Sequence, residues 1–182
     1  DGLIMYFKRI DNLLPKKYAD IIEKFIDGDD NGSTIPWMWR NNLNATLHGK
    51  ESIGNYYLNN TLIWEGEPVN DYSKKVMGVF VPILHYAGIS ENRLKVMKLN
   101  LYPRTQFRVH HKSHYDYPEG SNRRTLLYYV NDNNAFTVFD GIRKVKSKKN
   151  TLIMFDGSKW HHTTTCTNVN AKFTINMEIE IS

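Results

Sequence analysis

The chain has 182 residues, 41% apolar and 24% charged, and its 24 Lys plus Arg exceed its 19 Asp plus Glu for a net charge of +5. That length fits one domain over 1–182, the composition excludes a disordered chain, and no apolar run approaches the ~18 residues of a membrane span. A single cysteine, Cys166, excludes an internal disulfide, and Asp1-Gly2-Leu3 does not open a signal peptide, so the expected compartment is the cytoplasm.

Tyr18, Ile21, Ile22, Phe25 and Ile26 recur at helical spacing between Pro15 and Gly28, which predicts an amphipathic helix. The acidic loop from Asp27 to Ser33 lacks the downstream Glu of an EF-hand and is read as a turn. Trp37 and Trp39 flank Met38 before Arg40; core packing of an N-terminal strand is expected, with the mouth of a substrate pocket as the alternative. No motif is readable over 31–67. A second helix is predicted from Val69 to Ala87, with Tyr72, Val76, Val79, Phe80, Ile83, Leu84 and Ala87 on one face and Gly88 at its end. Pro82 inside this pattern predicts a kink or two shorter helices, and His85 beside the apolar face a structural role.

After Asn92 the pattern turns to strands: 96–102, 125–130, a hairpin of 136–139 and 142–145 around Asp140-Gly141, then 151–155, 160–166 and 172–181. Helices first and many short strands after predict an α+β, mainly β chain with a jelly-roll sandwich or barrel. The cations of Arg143, Lys144, Lys146, Lys148 and Lys149 read as a solvated hairpin edge, with an electrostatic guide for an acidic partner as the alternative. Cys166 reads as a small buried strand residue.

Five of the seven histidines fall in two clusters, His110-His111-x-x-His114 and His161-His162. His114 and Asp116 lie two apart, so an extended backbone projects both side chains to the same side, and a distant His161 or His162 can complete the two-imidazole, one-carboxylate set that suits Fe(II) with open positions. Lys172 and Thr174 alternate onto one face of the last strand, where an ammonium can meet a carboxylate.

Beyond the triplet, Asn100-Leu101-Tyr102-Pro103, Tyr128-Tyr129-Val130-Asn131, Phe155-Asp156 and Thr164-Thr165-Cys166-Thr167 frame these residues. Residues 96–180 resemble the double-stranded β-helix core of Fe(II)/2-oxoglutarate-dependent dioxygenases, in the prolyl-hydroxylase-like branch, and within it small oxygenases of marine bacteriophages. The resemblance implies a catalytic β-helix core over 96–182, with helical support and substrate-side segments over 1–95. It implies His114, Asp116 and His161 as iron ligands, and Lys172, Tyr102, Tyr129 and Thr174 as contacts of the 2-oxoglutarate cosubstrate. The activity it implies is hydroxylation of a C–H bond with O2 and decarboxylation of 2-oxoglutarate to succinate, peptidyl proline being the default substrate and ascorbate a supporting reductant. The expected partner is a peptide, protein or small-molecule substrate, with no membrane and no nucleic acid: Lys172 is the sole cation between His162 and Ser182, so the paired arginines of a nucleic-acid demethylase are missing. His110, His111 and His162 read as loop histidines or as groups beside the metal. A cupin-type site using Glu119 would need a His where Lys112 stands. The reading from another class is a non-catalytic jelly-roll binding or virion-associated module that keeps the fold. The sequence leaves oligomeric state open.

Overall fold

In the computed structural model, which describes residues 6–29, 32–40 and 56–181, antiparallel strands form two sheets that face each other. The larger sheet contains β1 (Phe7–Asp11), β2 (Met38–Arg40), β3 (Tyr57–Trp64), β4 (Glu67–Pro68), β5 (Leu94–Pro103), β6 (Arg123–Tyr129), β9 (Thr151–Phe155) and β11 (Ala171–Glu180). Its order is β1-β9-β6-β11-β5-β3-β2, with β4 pairing β3. The smaller sheet orders β10 (His161–Thr163), β7 (Phe136–Phe139) and β8 (Arg143–Lys146). This is the jelly roll, or double-stranded β-helix, that the strand pattern predicts.

Alternation along the large sheet assigns its two faces. Met97 and Leu99 of β5, Leu126 and Tyr128 of β6 and Ile175 and Met177 of β11 point outward into one core. Two helices cover that face, α1 (Lys16–Asp27) with Ile22 and Ile26, and α2 (Asp71–Tyr86) with Phe80, Ile83 and Leu84. Leu127, Tyr129, Ile153 and Phe155 point the other way, onto Phe139 and Val145 of the smaller sheet. Burial of these side chains stabilises by roughly 1.5–3 kcal/mol each before entropy is charged against it.

Several expectations need correction. α2 runs unbroken past Pro82, although the ring removes the donor that would meet the Gly78 carbonyl; fully buried Phe80 and Leu84 anchor the helix on both sides of it. Gly88, at φ +72°, ends the helix as predicted: its N–H donates to His85 O at 3.0 Å and that of Ile89 to Leu84 O at 2.9 Å, a Schellman closure. On α1, Tyr18 and Ile21 are exposed, and the buried stripe is Ala19, Ile22 and Ile26. The first half supplies more than helical support, because β1, β2, β3 and β4 belong to the large sheet. The hairpin turn has three residues, 140–142, since Phe139 pairs with Arg143. The 160–166 strand shrinks to 161–163.

Trp37 packs its ring on Phe173 at 6.4 Å, whereas Trp39 is exposed and stacks on Tyr56 at 4.5 Å, so only the first has the expected core role. Asp30 and Asn31 of the acidic loop, and 41–55 of the stretch without motifs, lie outside the described residues. In the basic segment β8 is an edge with only Val145 buried, but Lys149 ion-pairs with Asp20 and Glu23 of α1 and so ties the helix to the barrel. His85 is exposed against the Tyr86 ring, and Cys166 is buried and free. No described helix is long and apolar enough to cross a membrane.

Candidate metal centre

The segment between β5 and β6 delivers His114 and Asp116 to the barrel mouth, and three backbone contacts fix it there. His114 and His161 exchange both N–H···O bonds at 2.9 Å, and His111 N–H donates to Thr163 O at 3.0 Å. Asp116 N–H donates to Gly157 O at 2.7 Å. The paired backbones put the two imidazoles 4.6 Å apart, and Asp116 completes the group. His114 Nε2 lies 3.7 Å from Asp116 Oδ1 and His161 Nε2 lies 3.7 Å from Oδ2, and one ligand atom from each of the three side chains lies within 4.8 Å of the others.

Local chemistry orients each donor. His161 Nδ1 donates to Lys159 O at 2.9 Å and His114 Nδ1 points at Lys112 O at 3.4 Å, leaving both Nε2 lone pairs toward the carboxylate. Burial, with His161 beside it, holds the His114 imidazole down to about 4 against the opposing pull of Asp116. It is therefore neutral at pH 7, the form that ligates a metal. Asp116 Oδ2 accepts from the Thr125 hydroxyl at 2.6 Å. Gly157 makes room for this bond: a Cβ there would collide with the Thr125 hydroxyl and come within 2.9 Å of Asp116 Oδ2.

The triad opens onto a cavity of about 100 Å³ between the sheets. Tyr102, Lys172 and Thr174 line it. Lys172 is fully buried, with its ammonium donating to Thr163 Oγ1 at 2.5 Å and to Phe136 O at 3.3 Å. It lies 5.6 and 5.8 Å from the rings of Tyr102 and Tyr129. Burial pulls its pKa down to about 7. The Thr174 hydroxyl is buried with no hydrogen-bond partner among the described residues. Tyr129 departs from expectation. It is not among the cavity-lining residues, and its buried hydroxyl donates to Thr137 Oγ1 at 2.8 Å, so its contribution is the ring beneath Lys172.

The remaining clustered histidines are not a set of free loop residues. His111 is buried edge-on to Tyr102 at 5.4 Å, and burial lowers it to about 3. His162 lines the cavity, donates from Nδ1 to Asp140 Oδ1 at 3.0 Å, and is hydrogen-bonded through Nε2 to His110 Nδ1 at 3.0 Å. The other Asp140 oxygen accepts from the Ser113 hydroxyl. Asp140 thus holds the residue before His114 and the residue after His161. Glu119 is exposed and paired with Lys159, not with the triad. Tyr57, Lys98, Asn176 and Glu178 also line the cavity and were not anticipated; period-two alternation was the one signal that could have placed the last three on an inner face.

No protein-family model matches the chain, and no curated protein matches it in sequence. Solved structures do match in fold. A 2OG-Fe(II) oxygenase-family oxidoreductase from Burkholderia pseudomallei superposes with TM-score 0.54 at 10% identity, over 91% of this chain and 90% of its own. A Pseudomonas putida prolyl-4-hydroxylase gives 0.51 at 13%, over 97% and 92%. A Trichoplax adhaerens prolyl hydroxylase, solved with a peptide fragment of hypoxia inducible factor, gives 0.51 at 13%, over 96% and 83%. At these identities the likeness is one of fold, the double-stranded β-helix.

Proposed function

We propose that the protein is an Fe(II)- and 2-oxoglutarate-dependent oxygenase that hydroxylates a substrate C–H bond: R–H + 2-oxoglutarate + O2 → R–OH + succinate + CO2. The observation that carries this reading is the pairing of the His114, Asp116 and His161 triad with the buried ammonium of Lys172 in one cavity. Two imidazoles and one carboxylate suit Fe(II) while leaving coordination positions open. On β10 the side chains of His161 and Thr163 are one strand repeat apart, ~7 Å, and Lys172 is bonded to Thr163, so the cation stands at the length of a five-carbon dicarboxylate from the triad. The unpartnered Thr174 hydroxyl, two residues along β11 on the same wall, supplies a further polar contact.

Iron held by His114, Asp116 and His161 would supply the activation of O2 that drives both oxidations. The chain binds and orients. Lys172 holds the distal carboxylate of 2-oxoglutarate with Thr174 beside it, Tyr102 walls that arm, and Leu127 and Phe155 make the cavity partly apolar and limit water. Among C–H substrates peptidyl proline is the default from the motif resemblance, which alone supports the phage-like branch. A peptide is further supported by the complex of the Trichoplax neighbour. Nucleic acid is not a proposed partner, and a cytoplasmic setting rests on the unpaired Cys166.

The test is anaerobic reconstitution with Fe(II) and 2-oxoglutarate, admission of O2, ascorbate as supporting reductant, and assay of succinate. Succinate should form only with iron and vanish in His114→Ala and Asp116→Ala. A folded wild type that binds no divalent metal would overturn the reading.

A further inference from the structure

The cavity wall formed by β5 and β11 extends past the level that Lys172 serves. Its inward residues pair across the strands as Tyr102 with Lys172, Asn100 with Thr174, Lys98 with Asn176, and Val96 with Glu178. Glu178 also sits opposite Thr125, whose hydroxyl holds Asp116. Lys172 and Glu178 are six residue steps apart along the strand, about 20 Å of wall. The cosubstrate arm needs only the Lys172 end. The remainder, with Lys98, Asn176 and Glu178, lines the same cavity as the triad.

This second arm carries charge of both signs. Glu178 is buried, and its Oε2 accepts from Arg123 Nη1 at 3.0 Å. Arg123 is shared, because its Nη2 donates to Glu65 at 2.7 Å, so the Glu65–Arg123–Glu178 cluster keeps a net negative charge. Lys98 is half-buried, with its ammonium 5.2 Å from the Trp64 ring and no carboxylate within ion-pair distance among the described residues. Lys98 and Glu178 are diagonal cross-strand neighbours, ~7–8 Å apart at the backbone and within reach of each other, yet no ion pair joins them among the described residues. A cation and a carboxylate set apart on one wall are matched by a ligand that carries the complementary pair.

We propose that the second arm selects a free α-amino acid, its ammonium against Glu178 and its carboxylate against Lys98, with the Asn176 amide between them. The proposal rests on the oxygenase reading above and narrows its substrate. The amino acid is the R–H of that reaction: one oxygen atom of O2 enters its C–H bond, the other enters succinate, and CO2 leaves from 2-oxoglutarate.

The experiment measures succinate formation by the iron-loaded full chain with the twenty free L-amino acids, with their N-acetyl amides, and with a proline-containing peptide. At least one free amino acid should raise turnover about tenfold or more over the substrate-free rate, with its blocked counterpart inert. For that amino acid, Lys98→Met and Glu178→Gln should each raise KM about tenfold or more with a smaller change in kcat, and Lys98→Arg should restore much of the loss. Blocked amino acids or the peptide stimulating as well as free ones, or no stimulation by any free amino acid while substrate-free succinate still forms, would overturn the proposal and leave the oxygenase reading standing. Absence of iron-dependent succinate in every arm would overturn both.

Discussion

Thr125 donates its hydroxyl to the Asp116 carboxylate at 2.6 Å, and that bond aims the one anionic donor of the triad at the two imidazoles. Thr125→Val keeps the shape and removes the donor. Hydrogen-bond partners of metal ligands are typically worth 10- to 100-fold in metal affinity, so Co(II) or Fe(II) titration of this variant should show a loss of about that size. The fold should survive, with thermal unfolding shifted only a few degrees.

Gly157 permits that bond by having no side chain. In Gly157→Ala the new methyl would displace Thr125, Asp116 or the Tyr117 ring. Metal affinity should fall further than in Thr125→Val, together with a destabilisation of about 1–3 kcal/mol from overpacking. Urea denaturation and metal titration of the same sample check both.

Asp140 grips Ser113 and His162, the chain neighbours of His114 and His161. Asp140→Ala removes one side-chain tether from each ligand segment and leaves the backbone bonds of both in place. The expected outcome is metal affinity weakened about tenfold or more, with His110 and His162 losing their fixed ring orientations. Imidazole NMR signals report the second effect independently of turnover.

Lys172 makes the pH behaviour testable. Its folded value, about 7, lies below the 10.5 of an ordinary lysine because burial disfavours the ammonium. Between those values the unfolded chain binds more protons, so the contribution of Lys172 to stability rises with pH from about 7 to 10.5. Below pH 7 the full cost of the buried charge is present. Denaturation of wild type minus Lys172→Met isolates this contribution, and the difference should shift in favour of wild type as pH rises through that window. A bound dicarboxylate supplies the missing counter-charge and should flatten the dependence.

Metal chemistry and strand geometry made the His114 and Asp116 pair legible and left His161 or His162 as its partner; the choice of His161 came from the family resemblance. Lys172 and Thr174 followed from the same alternation. What alternation does not say is which face looks at water. Lys98, Asn176 and Glu178 have the pattern of a solvent-facing strand side, yet here the polar side is the barrel interior. β3 was hidden for a related reason: it carries buried Asn59 and Asn60 in its middle, and neither residue type marks a strand. Pro82 misled because propensity is local, whereas the buried face of α2 is fixed by the sheet beneath it.

The most direct measurement is anaerobic calorimetric titration of 2-oxoglutarate into the protein with and without Fe(II), for wild type, His114→Ala and Lys172→Met. Wild type should bind 2-oxoglutarate tightly only when iron is present; His114→Ala should lose iron and with it the cosubstrate. Lys172→Met should keep iron and bind 2-oxoglutarate about 10- to 100-fold more weakly, the loss of a buried charge-assisted contact. Binding of 2-oxoglutarate that is indifferent to iron, or equally tight in Lys172→Met, would contradict the account.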